Sequence, residues 1–148
     1  MVIRKGATPI APGQRSFVGG SMGDVSVILE GVEGEEARSA LYSTVHGAGR
    51  VLSRTQAAGK YRKVVGPDGK KRRERDPSTA LIDWPAAQAE LRSKGLELRG
   101  GGADEAPGVY KRLEDVLGYH AGSIRVAHTL QPLGVAMAGA DVFDPYKD

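Results

Sequence analysis

The stretch Ser43–Arg54, STVHGAGRVLSR, joins three structural signals around one histidine. Ala40–Val45 carries enough β-branched and apolar character to predict a strand that ends at His46. Gly47-Ala48-Gly49 then predicts a turn. Ser53, with Gln56 three residues on, has capping-box spacing and predicts a short helix running to about Ala58. Strand, glycine turn and helix in that order leave His46 at a strand end, with nothing bulky on one side of the imidazole.

Outward from this centre, short strands and helices alternate irregularly. Val2–Ile3 is expected to be the remnant of a strand, Lys5–Gln14 a loop and Arg15–Val18 a short extended piece leading into GGSMGDVS, Gly19–Ser26. Val25–Glu30 predicts a strand and Glu33–Glu36 an acidic turn. Lys60–Val65 and Lys70–Arg75 flank a Pro-Asp-Gly turn and predict a basic hairpin. Asp83 is expected to cap a helix, WPAAQAELRSK, that Gly95 ends. Leu96–Leu98 predicts a strand, GGGADEAPG a loop and Val109–Tyr119 an amphipathic helix with Leu113, Val116 and Leu117 on one face. Ile124–Leu130 and Leu133–Met137 complete the strands, followed by a polar tail, Asp141–Asp148. Without βαβ regularity the pattern predicts an α+β fold of mixed short strands and helices, treated as a single region over residues 1–148.

Composition narrows the chemistry. A chain of 148 residues can bury a sizeable core, and its 21 Gly and 8 Pro make it loop-rich without the bias of a disordered chain. The formal net charge is only +3, yet Lys60, Arg62, Lys63, Lys70, Lys71, Arg72, Arg73 and Arg75 crowd one segment against Asp68 and Glu74 alone. Such a run is either a solvated face or a surface for a polyanion. With no cysteine, disulfides, thiolate metal sites and thiol catalysis are excluded within this chain. The first residues, MVIRKGATPIAPGQR, hold no apolar run of signal-peptide or membrane length, so a cytoplasmic protein with no membrane partner is expected.

The candidate site residues each have two readings. Gly19, Gly20 and Gly23 allow close backbone approach to a ligand, and Ser21 and Ser26 offer hydroxyls to a phosphate or purine edge; the same pattern also suits a turn feeding a strand. A neutral imidazole at His46 could attack phosphorus and leave again, with the Gly47–Gly49 turn as an anion nest and Arg50 as a phosphate contact. It could equally be a surface histidine. His120 and His128 lack metal-ligand spacing to each other or to His46 and are read as structural or solvent-facing. Asp104 and Glu105 suit helix-dipole partners, and Tyr110 either core packing or a stacked base.

Taken in order, RKGAT (Arg4–Thr8), GGSMGDVS (Gly19–Ser26), HGAGRVLSR (His46–Arg54), DEAPGVYK (Asp104–Lys111) and LQPLGVAMAG (Leu130–Gly139) resemble the RtcB family of RNA-splicing ligases over nearly the whole chain. The resemblance implies a GTP-dependent enzyme that joins an RNA 3′-phosphate or 2′,3′-cyclic phosphate to a 5′-hydroxyl, in tRNA splicing or RNA repair, with tRNA halves or broken RNA as partners. It implies that His46 is the nucleophile that carries GMP. Gly19, Gly20, Ser21, Met22 and Ser26 would line the nucleotide pocket, Gly47, Ala48 and Gly49 would lie along the GMP, and Tyr110 would meet the guanine. The family usually has Pro where this chain has Gly19, and a lysine near the position of Met137. Its manganese ligands lie in an N-terminal region that these residues do not match. The chain is therefore expected to be the C-terminal part of the RtcB-type ligase fold, with metal ligands outside it, and not to self-guanylylate by itself. The alternatives are a subunit that completes its site with a separately encoded N-terminal portion, or a non-catalytic module that binds RNA or nucleotide through its basic segment.

Overall fold

A computed structural model describes residues 1–139; the predicted polar tail, Asp141–Asp148, lies outside the described residues. The strands are β1 (Ala7–Pro9), β2 (Arg15–Val18), β3 (Ser26–Gly31), β4 (Ser43–Val45), β5 (Tyr61–Val65), β6 (Lys71–Arg75), β7 (Glu97–Gly101), β8 (Ile124–Leu130) and β9 (Gly134–Gly139). The helices are α1 (Glu35–Ser39), α2 (Arg54–Ala58), α3 (Trp84–Ser93) and α4 (Leu113–Gly118), with single 3-10 turns at Pro77–Thr79, Ala103–Glu105 and Pro107–Val109. The class is α+β, as the residue pattern predicts. The chain divides into two compact units: Met1–Gly49 with Tyr110–Pro132, and Arg50–Val109 with residues 133–139. No described helix is long and apolar enough to cross a membrane.

The first unit is built on an antiparallel sheet in the order β2-β3-β8, with a register shift between Ile28 and Leu29. Strand period two sends Val27 and Leu29 inward, where they meet Val18, Leu113, Leu117 and Ile124. Leu113 and Leu117 stand one helical turn apart on α4, so a six-residue helix presents a continuous apolar edge to the sheet. A separate antiparallel pair joins β1 to β4, with Ala7 opposite Val45 and Thr8 opposite Thr44.

The second unit depends on caps and turns. The Ser53 hydroxyl accepts from the Gln56 N–H at 3.1 Å while the Gln56 side chain accepts from the Ser53 N–H at 2.9 Å, completing the capping box that starts α2. Asp83 accepts from the Ala86 N–H at 3.0 Å and starts α3, and Gly95, at φ 78°, follows its end. β5 and β6 form the predicted antiparallel hairpin, from Tyr61 opposite Arg75 to Val65 opposite Lys71. β7 and β9 pair in parallel.

Several expectations for the elements differ from the structure. Val2 and Ile3 are exposed and not in a strand; the first strand is Ala7–Pro9, inside the segment predicted as loop, because its partner is the distant β4. The acidic Glu33–Glu36 is not only a turn but opens α1, whose Ala37 is buried. β4 begins at Ser43 and not at Ala40, because Leu41 and Tyr42 take left-handed φ values of 53° and 50° after α1. α4 is shorter than Val109–Tyr119: Pro107–Val109 is a 3-10 turn, and the helix starts only where Asp24 accepts the Leu113 N–H at 3.1 Å.

Candidate functional site

The expected nucleophile His46 and the expected nucleotide-pocket residues Gly19, Gly20, Ser21, Met22, Ser26, Gly47, Ala48, Gly49 and Tyr110 fall in the first unit, whereas Arg50, Asp104 and Glu105 fall in the second. In the first unit Gly19 and Gly47 form a parallel bridge, which lays the GGSMGDVS loop alongside the residues that follow His46. The β1–β4 pairing brings RKGAT to the same place, and a Cβ added at Gly6 would lie 3.9 Å from Cδ2 and Nε2 of the His46 imidazole. The Lys111 N–H donates to the Gly49 carbonyl at 3.0 Å, tying the segment after DEAPGV to the glycine turn. Leu130, at the end of β8, stands opposite Ser26. Segments up to about one hundred residues apart in the chain thus converge around one histidine.

Local forces hold this arrangement. Within GGSMGDVS the Asp24 N–H donates to the Ser21 carbonyl at 3.0 Å, closing a turn, and Asp24 Oδ2 reaches the start of α4. The Gly20 N–H donates to Ser26 Oγ at 3.3 Å, and a side chain at Gly20 would collide with the Val25 carbonyl. Gly49 has φ 77°, a left-handed turn that no ordinary residue takes without strain. His46 is exposed, and among the described residues its imidazole makes no hydrogen bond or ion pair. Met22 and Ala48 are buried. Tyr110 is half-buried against the core of its unit.

Arg50 and Arg54, which follow the histidine in sequence, belong to the second unit and do structural work there. Arg50 donates through Nε to the Leu52 carbonyl at 3.1 Å and through Nη2 to the Asp104 carbonyl at 2.6 Å, with Glu105 at 3.6 Å. Arg54 pairs with the buried Asp104 at 3.1 Å and with Glu105. Burial works against the Arg54 charge, but the hydrogen bonds and charges of Glu105 and Asp104 outweigh it and raise the guanidinium pKa. The two carboxylates expected as helix-dipole partners are therefore arginine partners, and Arg50 is already engaged where a phosphate contact was expected of it. Met137 lies on β9 in this second unit.

Sequence reasoning missed Asp24, which links the glycine loop to α4. Its signal was a carboxylate inside a Gly-rich turn, a residue type that commonly caps a helix, but the helix it caps begins 89 residues later. Among the described residues no three His, Cys, Asp or Glu side chains gather to hold a cation, so they do not fit manganese.

Comparison with known proteins agrees with the collinear motifs. The family model described as tRNA-splicing ligase RtcB matches residues 1–138. The chain is 34% identical over 155 residues to the tRNA-splicing ligase RtcB of Pyrococcus furiosus, covering 92% of this chain and 14% of that protein. It is 33% identical to the tRNA-splicing ligase RtcB of Thermococcus kodakarensis, covering 92% of this chain and 28% of that protein. With the RNA-splicing ligase RtcB of Mycobacterium tuberculosis the identity is 35% over 152 residues, 90% of this chain and 30% of that protein. The chain belongs to the RtcB family. It spans between 14% and 30% of the length of these three relatives.

Proposed function

We propose that this chain is the C-terminal, nucleotide-binding part of a GTP-dependent RNA ligase, with His46 as the residue that carries GMP. The observation that carries the reading is the Gly19–Gly47 bridge, which sets a hydroxyl-bearing glycine loop beside an exposed imidazole. One nitrogen of neutral His46 attacks the α-phosphorus of GTP; the N–P bond forms as the bond from that phosphorus to the pyrophosphate oxygen breaks, and pyrophosphate leaves. GMP then passes to the RNA 3′-phosphate, releasing the imidazole, and attack by the 5′-hydroxyl joins the strands and expels GMP.

Within this reading the residues divide the work. Gly47, Ala48 and Gly49 offer backbone N–H groups along the GMP phosphate, and Gly19, Gly20, Ser21, Met22 and Ser26 bound the nucleotide. Tyr110 meets the guanine with its ring. Manganese ligands belong to an N-terminal part of the enzyme outside these residues, either earlier in a longer polypeptide or on a separately encoded partner; no step assigned to this chain runs through a metal it holds.

The test has two readouts. In the chain alone, GTP titration should shift backbone amide resonances at Gly19–Ser26 and His46–Gly49. Shifts confined to other segments would overturn the nucleotide assignment. With radiolabelled GTP and manganese, the chain alone should form no adduct. Mixed with the N-terminal portion of the mycobacterial relative, it should form a covalent adduct that His46→Ala abolishes. An adduct that survives His46→Ala would overturn the role of the histidine, and an adduct on the chain alone would overturn its need for the other portion.

A further inference from the structure

The β5–β6 hairpin separates its charges by face. In an antiparallel pair, residues directly opposite share a face and alternate along each strand. Tyr61, Lys63 and Val65 therefore share one face with Arg75, Arg73 and Lys71, and Arg62 and Val64 share the other with Glu74 and Arg72. On the second face the arginines are neutralised: Arg62 pairs with Asp76 at 3.8 Å and Arg72 with Asp68 at 2.7 Å. On the first face stand four cations and no carboxylate, and among the described residues none of the four forms a salt bridge. Arg73 and Arg75 instead lie 4.7 Å and 4.1 Å from the centre of the Tyr61 ring, which holds two guanidinium groups on that face without consuming their charge.

The root of the hairpin is pinned. The Asp76 N–H donates to the Lys60 carbonyl at 2.8 Å, Arg75 to the Gly59 carbonyl at 2.8 Å and the Lys60 N–H to Thr79 Oγ1 at 2.8 Å. At its tip Asp68 accepts the Lys70 N–H at 3.2 Å. A fixed two-stranded ribbon with one paired face and one uncompensated face concentrates positive potential on a single side. Solvation alone gives no reason for every acidic neighbour to serve the opposite face.

We infer that the Tyr61, Lys63, Lys71, Arg73 and Arg75 face of the hairpin binds the phosphate backbone of RNA, as a site separate from the residues assigned to GTP. The choice of RNA over another polyanion rests on the reading of the chain as part of an RNA ligase; the charge segregation does not.

Binding of a fluorescein-labelled oligouridylate to the full chain, followed by anisotropy across a potassium chloride series, tests this. Each single-strand phosphate contact contributes about 0.7 to the slope of log affinity against log salt, so Lys63→Gln/Lys71→Gln/Arg73→Gln should reduce the slope by about 2. The charge-conserving Lys63→Arg/Lys71→Arg/Arg73→Lys should retain it, and so should Arg62→Gln/Arg72→Gln on the paired face. Equal loss from both faces, an unchanged slope in the first variant, or competition by polyglutamate as strong as by unlabelled oligouridylate would overturn the inference. Failure of the hairpin variants leaves the histidine assignment standing, and failure of the adduct experiment leaves the hairpin result standing.

Discussion

In the first unit the residues proposed to meet a nucleotide are glycines, serines and one exposed imidazole, and their positions come from strand pairing and backbone hydrogen bonds. In the second unit the prominent side chains are arginines and lysines, and their partners decide what each can do. Arg50 and Arg54 are held by Asp104 and Glu105, whereas among the described residues Lys63, Lys71 and Arg73, exposed on the hairpin, form no salt bridge. A cation next to a proposed catalytic motif in sequence is thus not necessarily available to a substrate. Here the arginines four and eight residues after the histidine belong to the scaffold, and the uncompensated ones lie further along, on the hairpin.

The largest effect that would test this contrast is expected from Leu113→Ala. Leu113 is fully buried where α4 meets the sheet, and its truncation should cost about 2–5 kcal/mol of stability. Amide protection in β2, β3 and β8 should fall, and the GTP-induced shifts at the glycine loops should disappear with it. If RNA binding by the hairpin disappears to the same extent, the two sets of residues do not work as separately as their construction suggests. Next in size is Arg54→Met, which leaves the buried Asp104 carboxylate without one of its cations and should cost about 3 kcal/mol. Urea denaturation of wild type and variant measures it. A loss below a few tenths of a kcal/mol would mean that the Arg54 cluster does not organise its unit, and that the arginine could have been spared for a ligand.

The local elements of both units were legible because their signals sit within a few residues. The Ser53–Gln56 capping box, the Asp83 cap and the Pro-Asp-Gly hairpin are each closed by neighbours in the chain, and each is present. What composition and periodicity could not reveal were partners distant in sequence. β1 exists only because Val45 and Thr44 lie opposite Ala7 and Thr8, and α4 starts where Asp24 reaches Leu113. The pairing of Arg54 with Asp104 spans fifty residues, so two carboxylates in a turn looked like dipole partners when read alone. The histidine itself was visible in sequence as a strand-end residue in a glycine turn, but its neighbours Gly19 and Gly6 come from strand pairing that no spacing in the motif encodes.

The smallest expected effect tests whether surface charge matters to the first unit at all. Glu30, on β3, accepts from Arg125 at 2.7 Å and from Arg15 at 3.4 Å. The Arg125 hydrogen bond, with the charges of both arginines, outweighs burial and holds the Glu30 carboxyl below its ordinary 4.5. A carboxylate whose pKa is lower in the folded than in the unfolded chain contributes its stability above the unfolded value and loses it as pH falls through the folded value. Wild type should therefore exceed Glu30→Gln by a small margin at neutral pH, and the margin should close below pH 4.5. Both arginines are exposed, so added salt should also shrink the difference. A margin that stays constant through the acid range would assign the effect of the substitution to packing on β3. The first unit would then owe its stability to its apolar sheet and helix alone, which would make the contrast with the arginine-held second unit sharper.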